Sequence, residues 1–132
     1  MEKKAKILLV DDDVDFVEAT KVILGSKSYE VVVAYEGDEG LRKAKEEKPD
    51  LILLDIIMPI KDGFTAAEQL KKDPELSKIP TLMLTSFSTR RGGTSIPISR
   101  GFELEAEDYI DKAAGPDEML AEVEKHLKRA GF

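Results

Sequence analysis

A chain of 132 residues with 20 basic and 27 acidic side chains, a formal charge of −7 and a pI near 4.8, lacks the basic excess expected of a general nucleic-acid binder. At 42% hydrophobic and 36% charged residues it has the composition of one soluble folded domain, not of a disordered segment. The absence of cysteine excludes disulfides, thiol catalysis and thiolate metal sites, and no apolar run approaches membrane-spanning length. The charged N-terminus, Met1 to Lys6, leads into only four apolar residues, too few for a signal-peptide core, so a cytoplasmic protein without membrane insertion is expected.

Ile7-Leu8-Leu9-Val10 reads as a first strand and runs into three acids, Asp11-Asp12-Asp13. Phe16, Ala19, Thr20, Ile23 and Leu24 then recur at three- and four-residue spacing, which predicts an amphipathic helix with Gly25 as its C-cap. Residues 30–34 form a short second strand. Gly37 to Glu47 is a polar helix with Leu41 and Ala44 inward, stopped by Pro49. Leu51-Ile52-Leu53-Leu54 predicts a strand buried on both faces, and it ends on Asp55. Met58 to Gly63 is loop chemistry. A helix marked by Phe64, Ala67 and Leu70 or Lys71 ends before Pro74. Thr81 to Leu84 is the fourth strand and closes on Thr85-Ser86; residues 107–111 make a weak fifth. Pro116 suits a first helical position, and Met119, Leu120, Val123 and Leu127 form the apolar stripe of a final helix, where His126 is expected to be solvated.

Alternating strands and helices predict a parallel α/β sheet, doubly wound and flavodoxin-like, and right-handed crossovers favour the strand order 2-1-3-4-5. The glycines at 92, 93 and 101 and Pro97 leave room for only an irregular or shortened helix between the fourth and fifth strands, over roughly Ser99 to Ala106. The expected organisation is a single domain over residues 1–132, with its core from about 5 to 130 and no output domain.

In the 2-1-3-4-5 order the first and third strands meet at the switch point, so Asp11, Asp12 and Asp55 converge at the carboxyl edge of the sheet, where such folds bind ligands. Converging carboxylates repel, which favours a bound cation, and all-oxygen ligation makes magnesium the first choice. A carboxylate beside such an ion can attack phosphorus. That chemistry also needs a cation and a hydroxyl donor for the remaining phosphoryl oxygens, and Lys112 and Thr85 lie at the same edge. The competing reading of the acids is helix capping, for which Asp13 is best placed.

These pieces together, Ile7 to Asp13, Leu54-Asp55-Ile56-Ile57-Met58-Pro59 with Asp62-Gly63, Leu84-Thr85-Ser86 and Tyr109-Ile110-Asp111-Lys112, resemble the receiver domain of bacterial two-component response regulators over nearly the whole chain. The resemblance implies that Asp55 accepts a phosphoryl group from a sensor histidine kinase or phosphotransfer protein. It implies magnesium held by Asp12, Asp55 and the backbone carbonyl of Ile57, with Asp11 assisting through water. Lys112 would pair with the phosphoryl oxygens, Thr85 would hydrogen-bond them, and Tyr109 would move inward behind Thr85. The chain would catalyse its own phosphorylation and a slow dephosphorylation, with the apolar Ile57 and Phe87 flanking the path of attacking water.

Two features depart from the family. Ala113 follows Lys112 where proline is usual, and the stretch between Thr85 and Lys112 is several residues longer than expected, with Arg90, Arg91 and Arg100 in it. The leading expectation, on the intact set of Asp11, Asp12, Asp55, Thr85 and Lys112, is a stand-alone receiver, monomeric or dimerising on phosphorylation, that switches an unknown output protein or relays the phosphoryl group. The alternative is a phosphorylation-independent adaptor that binds its partner through residues 86–105. An aspartyl phosphatase is disfavoured because Asp11-Asp12-Asp13-Val14-Asp15 fits its nucleophile pattern poorly and gives Asp55 no task.

Overall fold

The aliphatic runs become the strands of one parallel sheet. The computed structural model describes residues 5–55, 63–85, 108–112 and 115–131. Strands β1 (Lys6–Val10), β2 (Glu30–Ala34), β3 (Leu51–Asp55), β4 (Thr81–Thr85) and β5 (Asp108–Asp111) lie in the order β2-β1-β3-β4-β5. Helices α1 (Val14–Gly25), α2 (Gly37–Glu47), α3 (Gly63–Lys72) and α4 (Pro116–Arg129) accompany them, with a 3-10 turn at Leu76–Lys78. The expected strand order is the one observed. The shortened helix anticipated between β4 and β5, the long Arg-containing stretch and Ala113 lie outside the described residues.

Side chains alternate across a strand, so each central strand feeds both halves of the core. Leu8, Val10, Ile52, Leu54 and Met83 pack on one face with Ala44 of α2 and Leu70 of α3. Ile7, Leu9, Leu51, Leu53, Leu82, Leu84 and Ile110 pack on the other with Val17 and Leu24 of α1 and Met119, Val123 and Leu127 of α4. Burial of each leucine is worth about 1.5–3 kcal/mol, which explains how runs with no polar alternation are tolerated. The outer edge of β2 is protected by Lys43, whose ammonium donates to the Val33 carbonyl. Among the described residues no helix is long and apolar enough to cross a membrane.

Three local expectations need correction. Gly25 is the last helical residue of α1, not its cap; Ser26 caps the helix with its N–H on Leu24 and Val22 carbonyls, and the left-handed residue is Ser28 (φ 66°). Within α1 the buried stripe is Val17, Thr20 and Leu24, whereas Ala19 faces solvent. His126 is not solvated: it is 3% exposed on α4, with Nε2 3.8 Å from Glu122 Oε2. Its stripe position one residue before Leu127 carries it inward with the apolar face.

Gly40 of α2 holds the helix close over the end of β1. A Cβ built there would stand 2.8 Å from Val10 Cγ2, and a branched valine methyl has little freedom to retreat. Gly40→Val is therefore expected to destabilise by about 2 kcal/mol, because overpacking outweighs the better helix propensity of valine. Urea unfolding measures this; an unchanged midpoint would mean that α2 lifts off the sheet at little cost.

Candidate functional site

Three consecutive acids leave β1, and each does something different. Asp11 is fully buried; its N–H extends the sheet ladder by donating to the Ala34 carbonyl at 3.0 Å. Its Oδ1 accepts from the Asp13 N–H at 2.9 Å, an Asx turn that redirects the chain into α1. Asp13 is the N-cap, with its carboxylate accepting from the Phe16 N–H at 3.2 Å. Asp12, between them, is exposed. The capping reading therefore holds for Asp13 and leaves Asp11 and Asp12 available to a site.

Asp55 closes β3 at 8% exposure and lies across from Leu84 of β4. Strand alternation extends the row Leu51, Leu53 to Asp55, the row Ile7, Leu9 to Asp11, and the row through Ile110 to Lys112. All three charged groups thus emerge on the sheet face covered by α1 and α4. The carboxylates of Asp11, Asp12 and Asp55 each bring one oxygen within 4.8 Å of the others.

Lys112 reaches into this cluster from the end of β5. Its Nζ lies 2.8 Å from Asp11 Oδ2 and 4.0 Å from Asp55 Oδ2. The Asp11 contact is a close ion pair in which the carboxylate is wholly buried and the lysine largely so. The ammonium also sits 4.5 Å from the centroid of the Phe16 ring. Burial favours loss of the Lys112 proton, but Asp11, Asp55 and Asp13 outweigh it and hold the amine above its usual 10.5. The lysine remains a cation at any physiological pH.

Other expected site residues are placed less completely. Thr85 ends β4 opposite Asp111, and Tyr109 lies in β5 opposite Met83, so their backbones flank the same edge; their side chains lie outside what is described. Ile57 and Phe87 also lie outside the described residues. Phe16 is the site neighbour that the sequence did not single out. Its one signal was an aromatic residue in the first turn of the helix that follows the acids.

The family model of the response regulator receiver domain matches residues 7–124. The chain belongs to this family. The receiver is 36% identical over 124 residues to the DNA-binding dual master transcriptional regulator RpaA of Synechocystis, covering 94% of this chain and 49% of that protein. It is 38% identical over 125 residues to the alkaline phosphatase synthesis transcriptional regulatory protein PhoP of Bacillus subtilis, covering 95% and 49%. The chain thus spans about half the length of these relatives. Among solved structures, it is similar to the signal receiver domain of a signal transduction histidine kinase from Syntrophus aciditrophicus, with a TM-score of 0.86, 31% identity and 96% and 92% of the two chains covered. A response regulator receiver domain protein from Methanospirillum hungatei matches with a TM-score of 0.83 at 28% identity, over 96% of each chain.

Proposed function

We propose that this receiver accepts a phosphoryl group on Asp55 from the phosphohistidine of a sensor kinase or phosphotransfer protein in the cytoplasm. The observation that carries the reading is the cluster itself: three carboxylates within 4.8 Å, two of them buried, with an ammonium 2.8 Å from one and 4.0 Å from another. A cluster of this charge is costly to bury, and the single positive charge of Lys112 does not match three negative ones. An all-oxygen donor set suits a hard divalent ion, so Asp11, Asp12 and Asp55 fit magnesium, with the Ile57 carbonyl as a further proposed ligand. Bound there, magnesium supplies neutralising charge for nucleophile and phosphoryl oxygens.

The residues of the chain divide the remaining work. One Asp55 oxygen attacks phosphorus, forming the new P–O bond as the donor's P–N bond breaks; the departing imidazole nitrogen keeps that electron pair and is protonated from solvent or the donor protein. Lys112 meets charge on the transferred oxygens, and the Thr85 hydroxyl donates to another of them. The altered edge at Thr85 and Tyr109 then changes the affinity of an output partner, or the phosphoryl group passes onward. The two relatives, both transcriptional regulators about twice the length of this chain, support control of an output unit as the purpose of the switch.

The test is intact mass after incubation with acetyl phosphate, with magnesium or with EDTA. Wild type should gain one phosphoryl group only with magnesium. A folded protein that gains none under either condition would overturn the proposal.

A further inference from the structure

Phe16 is partly buried against the core face that carries Ile110, Met119 and Val123, and packing alone would account for an apolar residue there. It does not account for the ammonium of Lys112 lying 4.5 Å from the ring centroid. We infer that Phe16 is a positioning residue of the receiver, its ring face holding the Lys112 ammonium at the mouth of the acidic cluster. The consequence for phosphoryl transfer rests on the function proposed above; the placement of the lysine does not.

A lysine ammonium is a compact charge on a flexible four-carbon stem, so its position is set by what surrounds it. Here Asp11, at 2.8 Å, holds the amine more closely than Asp55 at 4.0 Å. The ring attracts the cation through its quadrupole without adding negative charge or taking a carboxylate lone pair. The ring is also tied to the acids it works beside. Asp13 donates its N–H to Asp11 and accepts the Phe16 N–H on its own carboxylate, so two hydrogen bonds link Asp11 to the backbone beneath the ring. Asp11, Lys112 and Phe16 are thus joined by an ion pair, a cation–ring contact and two hydrogen bonds through Asp13.

The experiment compares wild type, Phe16→Leu and Phe16→Tyr by two readouts. The first is the NMR signal of the Lys112 ε-methylene, recognised by its loss in Lys112→Met and recorded without metal or phosphodonor. Ring current should displace it upfield in wild type and in Phe16→Tyr, and Phe16→Leu should return it to the position of ordinary lysines. The second is the rate of acetyl phosphate labelling, which should fall about fivefold in Phe16→Leu and recover in Phe16→Tyr. Thermal unfolding confirms that the variants are folded, with Phe16→Met in reserve should the leucine variant fail. An undisplaced Lys112 signal in wild type, or one identical in all three proteins, overturns the inference. So does equal slowing by leucine and tyrosine, which would assign Phe16 to packing alone. Labelling at the wild-type rate in Phe16→Leu, when the wild-type signal is displaced, also overturns it. If wild type itself takes no label, the proposed function fails, and the NMR comparison still decides whether the Lys112 stem lies against the ring face.

Discussion

Asp55→Asn is expected to abolish the magnesium-dependent phosphoryl adduct and, in the same protein, to raise stability in the absence of metal. The first effect follows because the amide is no nucleophile and no other carboxylate is the proposed acceptor. The second follows from charge. Asp55 is 8% exposed and stands within 4.8 Å of two carboxylates, with the Lys112 ammonium at 4.0 Å. At an effective dielectric of about 20 these contacts are of comparable size, roughly 3–4 kcal/mol each, so the repulsion from the two carboxylates exceeds the attraction to Lys112. Discounted for the exposure of Asp12, the relief should be about 1–2 kcal/mol. Magnesium should reverse the ranking, since a ligand at 100 times its dissociation constant stabilises the folded state by about 2.7 kcal/mol and the asparagine variant binds it less well. Urea midpoints in EDTA and in excess magnesium read both signs. An asparagine variant less stable than wild type in EDTA would show that the cluster is already neutralised by its surroundings.

Lys112→Met should lower both reactivity and stability. Removing a charged partner of a transferring phosphoryl group is expected to slow acetyl phosphate labelling by about 100-fold, comparable with the loss of one oxyanion donor. Stability should fall by about 2 kcal/mol, because the change strands the fully buried Asp11; the cost stays below that of a wholly buried pair since the Lys112 side chain is 19% exposed. Combining it with Asp11→Asn should restore most of the loss, a result that separates a stranded charge from lost packing. The pH dependence has a definite sign. The folded protein holds the Lys112 proton more tightly than the unfolded chain does, so the contribution is whole below about pH 10.5 and disappears as pH rises through the higher folded value. The gap in urea midpoint between wild type and Lys112→Met should therefore be steady from neutral pH and narrow only above 10.5. A gap that narrows well below that would mean the ion pair is not its source.

The parts of the fold that depend on one stretch of chain were legible in advance. Leu51 to Leu54 has no polar alternation because both faces are covered, and that pattern alone placed the central strand. Asp13 was recognisable as a cap because a carboxylate before an amphipathic run has few other tasks. Sequence and structure diverge where the outcome depends on which way a helix turns toward its neighbours. Phe16, Ala19, Thr20, Ile23 and Leu24 are spaced correctly for a helix, yet small rotations decide that Val17 is buried and Ala19 exposed. The burial of His126 has the same cause: a polar residue beside a stripe goes inside when the stripe is wider than hydropathy suggests.

For the candidate site, sequence alone determined which residues gather, because strand ends in a doubly wound sheet must meet at one edge and the acids were already at those ends. It could not determine how they pair. Only the tertiary structure decided that Lys112 contacts Asp11 more closely than Asp55, that an exposed Asp12 stands beside two buried partners, and that Phe16 meets the ammonium. Local pattern encodes the face and end of each element, since these follow from periodicity along one segment. Distances of 2.8 and 4.0 Å between side chains from separate strands depend instead on how closely the whole sheet and α1 pack, and no single segment carries that information.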